Sequence, residues 1–163
     1  MHHFGCVVPS WEALELVRLV AGGRAVADVG SGNGYWTFML RRHGLRVTAV
    51  DNMQSTFRVR WVADTVVEDG AAWLRARRGA EDVVLLLVYP VVGAEFVKSM
   101  LAEYRGRTLV VAGTQNANGY TAFVDRTIDD YVRLEMPGWR KTVQVALPSF
   151  AGKDEALFVF ERD

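Results

Sequence analysis

"VADVGSGNGYWTFML", residues 26–40, carries a short apolar run through three alternate glycines into a helical pattern. Gly30, Gly32 and Gly34 let a chain turn sharply at a strand's end and leave bare main chain against which a ligand can lie. The helix start that follows offers unpaired N–H groups. Asp28 stands two residues ahead of the first glycine. A strand, a glycine loop and a helix in this order describe a site for a nucleotide-type ligand.

The segments on either side extend this unit into a fold. Ser10 caps a helix to about residue 21 with Trp11, Leu14 and Val17 on its apolar face, and Gly22–Gly23 stop it. Residues 24–29 read as the first strand, 35–43 as a helix ending at Gly44, and 46–51 as a second strand ending in Asp51. In "FRVRWV" (57–62) apolar residues alternate with arginine as on an edge strand, with "TVVED" (65–69) as the alternative third strand. A short helix over 70–78 leads into "DVVLLLV" (82–88), continuously apolar and therefore buried on both faces at the sheet centre. Residues 94–104 have helical spacing, 107–113 are another buried strand, and 121–132 are a further helix. The strands at 142–148 and 155–162 are joined by too short a loop for a crossover helix, so they pair antiparallel. The expectation is an α/β chain with a doubly wound, mostly parallel seven-stranded sheet and a C-terminal antiparallel hairpin.

Length and composition bound the function. A chain of 163 residues is expected to form one domain over 1–163, with residues 1–23 as a segment and helix ahead of the first strand. A domain of this size buries roughly 70% of its unfolded surface. Lys plus Arg equals Asp plus Glu at 19 each, which provides no overall attraction to nucleic acid or an anionic membrane. The arginines cluster at 41–42, 58–60 and 75–78, where solvated faces and helix C-termini explain them as readily as a partner patch does. The one cysteine, Cys6, excludes an intrachain disulfide and fits a reducing compartment as a small apolar residue. His2 and His3 are too few to argue a metal site. With no apolar run approaching the roughly 20 residues of a membrane span and no basic, apolar leader, cytoplasmic residence is expected.

The spacing decides between nucleotides. A dinucleotide fingerprint needs a third glycine where this chain has Tyr35, and no Gly-Lys-Ser/Thr follows as in a phosphate-binding P-loop. Asp28-x-Gly30-x-Gly32-x-Gly34 instead resembles motif I of the class I, Rossmann-like S-adenosylmethionine-dependent methyltransferases. The resemblance covers most of residues 24–162, the terminal hairpin included. It implies S-adenosylmethionine as cofactor, with Asp28 serving its charged methionine end directly or through water and Gly30, Gly32 and Gly34 accommodating that moiety. It also implies Asp51 on the ribose hydroxyls, Met53 over an adenine face and Asp69 at the adenine amino group. The chemistry agrees, since a sulfonium and an ammonium want a nearby anion and a diol wants a bidentate acceptor. The plain alternatives are a turn-forming Asp28, a surface Asp51 and an Asp69 that only caps a helix.

The acceptor should meet the cofactor near the ends of the fourth and fifth strands. Val88-Tyr89-Pro90-Val91 keeps one proline of the run by which amino-methylating members hold bases or glutamine, but lacks its polar clamp and terminal aromatic. Cys6 is far in sequence from that strand end, which argues against cytosine C5 chemistry, because that needs a thiolate there. Tyr89 and Gln115–Asn116 do not supply the carboxylates of the metal-dependent members, so no metal is expected. Tyr89 is the acceptor-side candidate, as an orienting hydroxyl or a ring under the methyl, with packing as its plain role. Gln115, Asn116 and Asn118 read as loop formers or substrate donors, His43 as a helix cap, and Trp36 and Trp73 as packing. The function implied is methyl transfer to an unidentified acceptor by in-line displacement, held mainly by proximity. With no recognition domain, specificity must come from the chain's own loops, a dimer interface or a protein partner. The other reading is a non-catalytic methyltransferase-like subunit that binds such a partner.

Overall fold

The apolar runs expected at the sheet centre lie there in the computed structural model, which describes residues 3–163; His2 falls outside the described residues. Seven strands, β1 (Val26–Val29), β2 (Val47–Asp51), β3 (Val66–Val67), β4 (Val84–Val88), β5 (Thr108–Thr114), β6 (Trp139–Ala146) and β7 (Glu155–Arg162), form one sheet in the order β3-β2-β1-β4-β5-β7-β6. β1 to β5 pair in parallel, and β7 alone runs against its neighbours β5 and β6, with an irregularity at Lys141/Val143. Helices α1 (Trp11–Ala21) and α2 (Tyr35–Arg42) cover one face, while α3 (Gly70–Ala76), α4 (Ala94–Glu103) and α5 (Ile128–Glu135) cover the other. Alternation along each central strand feeds both layers: Leu85 and Leu87 of β4 pack with Trp73, Met100 and Tyr131, whereas Val84 and Leu86 pack with Leu14, Val17 and Leu40.

Local chemistry explains most of the boundaries. Ser10 accepts a hydrogen bond from Ala13 N–H at 3.1 Å and Gly22 ends α1 in the left-handed region. The last long helix starts at Ile128, not 121, because Thr127 and Asp130 form a reciprocal capping box there. The residues before it are committed elsewhere, with Ala122 N–H donating to Pro90 C=O at 3.0 Å.

The stretch 57–62 is not a strand, and the third strand comes from the alternative segment as only Val66–Val67. Its alternating residues pack over the glycine loop: Trp61 N–H donates to Asn33 C=O at 2.8 Å, and Phe57 and Val62 lie against Gly32 and Gly34. Alternation marked a half-buried segment correctly, but the burial is against a loop and not a sheet.

Candidate active site

The strand order reverses between β1 and β4, and a crevice at the carboxyl ends of strands is expected at such a switch point. A cavity of about 400 Å³ lies there, within the range for ligand sites. Its walls come from the loop after β1 (Val29 to Asn33), the segment after β2 (Asp51 to Phe57), Glu68 to Gly70, and Val88 to Val91 after β4.

The glycines build the floor for two different reasons. Gly30 and Gly32 line the cavity with φ of +75° and +58°, and a Cβ on Gly30 would come within 3.0 Å of Phe96. Gly34 does not reach the cavity wall. It caps α2 at φ +80°, and a Cβ there would lie 2.5 Å from Val62 Cγ2, so packing and backbone angle account for it.

Asp51 is held on the wall by main chain. Its Oδ2 accepts from Gly32 N–H at 2.8 Å and its Oδ1 from Met53 N–H at 2.7 Å. Each carboxylate oxygen keeps a further lone pair, so a diol can still be received. The same bond folds Met53 back at φ +59°, and the wall beyond Asp51 is formed by Asn52, Gln54, Ser55 and Phe57 instead of Met53. Phe57 is the aromatic wall that a reading from chain position alone would not select.

Asp28 is fully buried and lies behind the cavity surface. Thr37 Oγ1 of α2 donates to its Oδ2 at 2.7 Å, while Oδ1 has no hydrogen-bond partner among the described residues. Burial pushes this carboxyl up to about 7; the Thr37 bond opposes the shift and the charge of Asp51 adds to it. Asp69 lines the cavity and is also the N-cap of α3, accepting from Ala72 N–H at 2.9 Å, so the plain capping role is present alongside its place on the wall.

Tyr89 lines the cavity immediately after β4, at φ +49° with its N–H bonded to Ala112 C=O at 2.7 Å. Its hydroxyl is buried without a partner, and burial pushes the phenol above its ordinary range. Gln115 and Asn116 donate to Asp154 at 2.9 and 3.2 Å, and Asn118 to Lys153 C=O at 3.1 Å. These amides join the β5 loop to the β6–β7 turn and are not on the cavity wall.

The N-terminal segment corrects an expectation. Cys6, far from Tyr89 in sequence, shares the cavity with it, because residues 4–7 fold back to line it. Trp36 Nε1 donates to Val7 C=O at 2.9 Å and Asn33 Nδ2 to His3 C=O at 3.0 Å, which ties the strap to α2 and the glycine loop. His43 Nε2 meets Glu15 Oε2 at 2.7 Å at the far end of α2, in keeping with a cap. Arg18, and after it His43, holds the Glu15 carboxyl down to about 2.

No family model and no curated protein matches the chain. Solved structures do. Magnesium protoporphyrin IX methyltransferase from Synechocystis PCC 6803 with bound S-adenosylmethionine is 14% identical, with 92% of this chain and 79% of that chain covered at a TM-score of 0.59. M. capricolum TrmK in complex with S-adenosylhomocysteine is 10% identical over 95% of this chain and 69% of that one, at 0.62. The fold is that of the class I methyltransferases. The N-methyltransferase NodS from Bradyrhizobium japonicum WM9, in complex with S-adenosylhomocysteine, has the same methyltransferase architecture at 15% identity, 91% and 83% coverage and a TM-score of 0.59. At these identities the likeness establishes the fold, and the chemistry must be argued from the cavity.

Proposed function

We propose that this chain binds S-adenosylmethionine in the cavity and transfers its methyl group to an acceptor. The observation that carries the reading is the Asp51 carboxylate anchored to Gly32 N–H on the wall of a 400 Å³ cavity at the sheet's switch point. Asp69, a second carboxylate on the same wall, supports the fit. In this reading Asp51 takes the ribose hydroxyls, Gly30 and Gly32 the methionine end, and Asp69 the adenine edge. Asp28 stands behind the loop as a buried acid bonded to Thr37. Neither Met53 nor Gly34 is assigned a direct contact.

When bound, the cofactor would supply an electrophilic methyl on a sulfonium. The chain's own part is to hold the acceptor in line and exclude water, with Tyr89 as the positioned side chain. Calorimetry tests the binding step: S-adenosylmethionine and S-adenosylhomocysteine should bind and NAD should not. Tight NAD binding without either adenosyl ligand would overturn it.

A second reading rests on the rim. Val91, Val92, Tyr120, Val124 and Phe150, from the loops after β4, β5 and β6, are exposed on the cavity's side of the sheet. An apolar rim suits a protein partner, and a non-catalytic subunit would use it. Normal adenosylmethionine binding with no labelled product from broad acceptor panels and cell extracts would favour that reading.

A further inference from the structure

The chain's balanced charge hides a local imbalance. Residues 3–7, 33–42 and 52–63 carry four arginines and no aspartate or glutamate. Trp61 joins these three segments, its N–H donating to Asn33 C=O at 2.8 Å and its Nε1 to His3 C=O at 2.5 Å. Arg41 is committed to Asp64 at 2.9 Å and to Val47 C=O at 2.7 Å. Arg42, Arg58 and Arg60 are exposed and have no ion pair among the described residues. The acids that flank the third segment are engaged elsewhere, Asp51 with main chain on the cavity wall and Asp64 with Arg41.

The same segments bring four aromatic rings into one cluster. The Trp61 ring centroid lies 5.7 Å from that of Phe4, 4.9 Å from Tyr35 and 5.1 Å from Phe38, and the Arg42 guanidinium sits 5.8 Å from the Phe38 centroid. Phe4 is 45% exposed and the other three rings are half-buried. A cluster that only packed the strap would bury its rings and need no cations around them. Accessible rings bordered by unpaired guanidinium groups match a ligand whose flat faces are linked by anions.

We propose that this face binds single-stranded nucleic acid, with Phe4 and Trp61 as the surface on which bases stack and Arg42, Arg58 and Arg60 as the phosphate contacts. A single strand is specified because duplex bases are already stacked on one another. An acidic protein would satisfy the arginines but leave the rings without flat partners. Phe4 also lines the cavity, so a strand held here lies at the cavity's edge. The surface does not depend on the methyltransferase reading.

Fluorescence anisotropy with a labelled single strand of about 12 nucleotides, as RNA and as DNA, tests it. The wild-type chain should bind at least one of the two, with log K falling against log salt at a slope of about −2, roughly 0.7 for each of three phosphates. Arg58→Gln with Arg60→Gln, whose melting curve should match the wild type because both side chains are exposed, should bring that slope to about −0.7. Phe4→Leu keeps the apolar packing but removes the ring, and should weaken binding about fivefold or more at an unchanged slope, while Phe4→Tyr restores it. The corresponding duplex should bind more weakly, and poly-glutamate should not displace the strand. No binding at low salt, a slope indifferent to the arginine changes, Phe4→Leu without effect, or a duplex bound as tightly as the single strand overturns the proposal. Displacement by poly-glutamate overturns it in favour of an acidic protein partner. Calorimetry with S-adenosylhomocysteine on the same samples keeps the two readings apart, since a wild type that binds the strand without that ligand overturns the cofactor reading alone.

Discussion

Asp28 is a carboxylate inside the sheet with one oxygen bonded to Thr37 and the other without a partner. Its folded value of about 7 lies above the ordinary 3.8, so between those values the folded chain binds a proton that the unfolded chain has lost. Stability should therefore fall as pH rises from about 4 to 7 and level off above, as far as this group controls it. Asp28→Asn should remove that component, which urea midpoints measured from pH 4 to 8 would show as a flatter profile. Asp51 is different, because two backbone donors already hold it. Asp51→Ala should weaken S-adenosylhomocysteine binding by about 1.5–3 kcal/mol, the range for hydrogen bonds to a charged acceptor. It also leaves Gly32 N–H and Met53 N–H without their acceptor, so calorimetry should be paired with a melting curve. Unchanged affinity would show that the ligand sits elsewhere.

At the scale of elements, the glycine loop and the segment that covers it are one packed unit. Gly34→Ala should destabilise the chain by about 1–3 kcal/mol through its positive φ, with an overpacking share from the 2.5 Å approach to Val62. Val62→Ala in the same chain should recover only the overpacking share, which a double-mutant cycle in urea separates. Full recovery would mean that the backbone angle is not the constraint. The same unit shows what the sequence could and could not reveal. β4 and β5 are legible because burial on both faces leaves a continuous apolar run, and the β6–β7 hairpin because its loop is too short for anything else. The segment 57–62 is misleading, since alternation reports one buried side but not what covers it. Asp28, Gly30, Gly32 and Asp51 are legible as a motif tied to one strand–loop–helix unit. Phe57 and Cys6 are not, because long-range folding brings them to the site.

Across the whole molecule, the cavity is lined in part by the stretch of chain most distant in sequence from Tyr89. The strap at residues 4–7 is held by Trp36 and Asn33 through Val7 C=O and His3 C=O, so α2 and the glycine loop position it directly. Cys6 stands on this strap as an exposed thiol lining the cavity, and it is the chain's one cysteine. Alkylation therefore reads the occupancy of the cavity with a single mass shift, since only an accessible thiolate reacts. Saturating S-adenosylhomocysteine should slow iodoacetamide labelling of Cys6 several-fold, and NAD at the same concentration should not. Asp51→Ala, at a ligand concentration that saturates the wild type, should restore the faster rate, which links protection to the ribose-binding wall and not to a general tightening. An unchanged labelling rate with calorimetrically bound ligand would place that ligand away from the strap, and the cavity would then need another occupant.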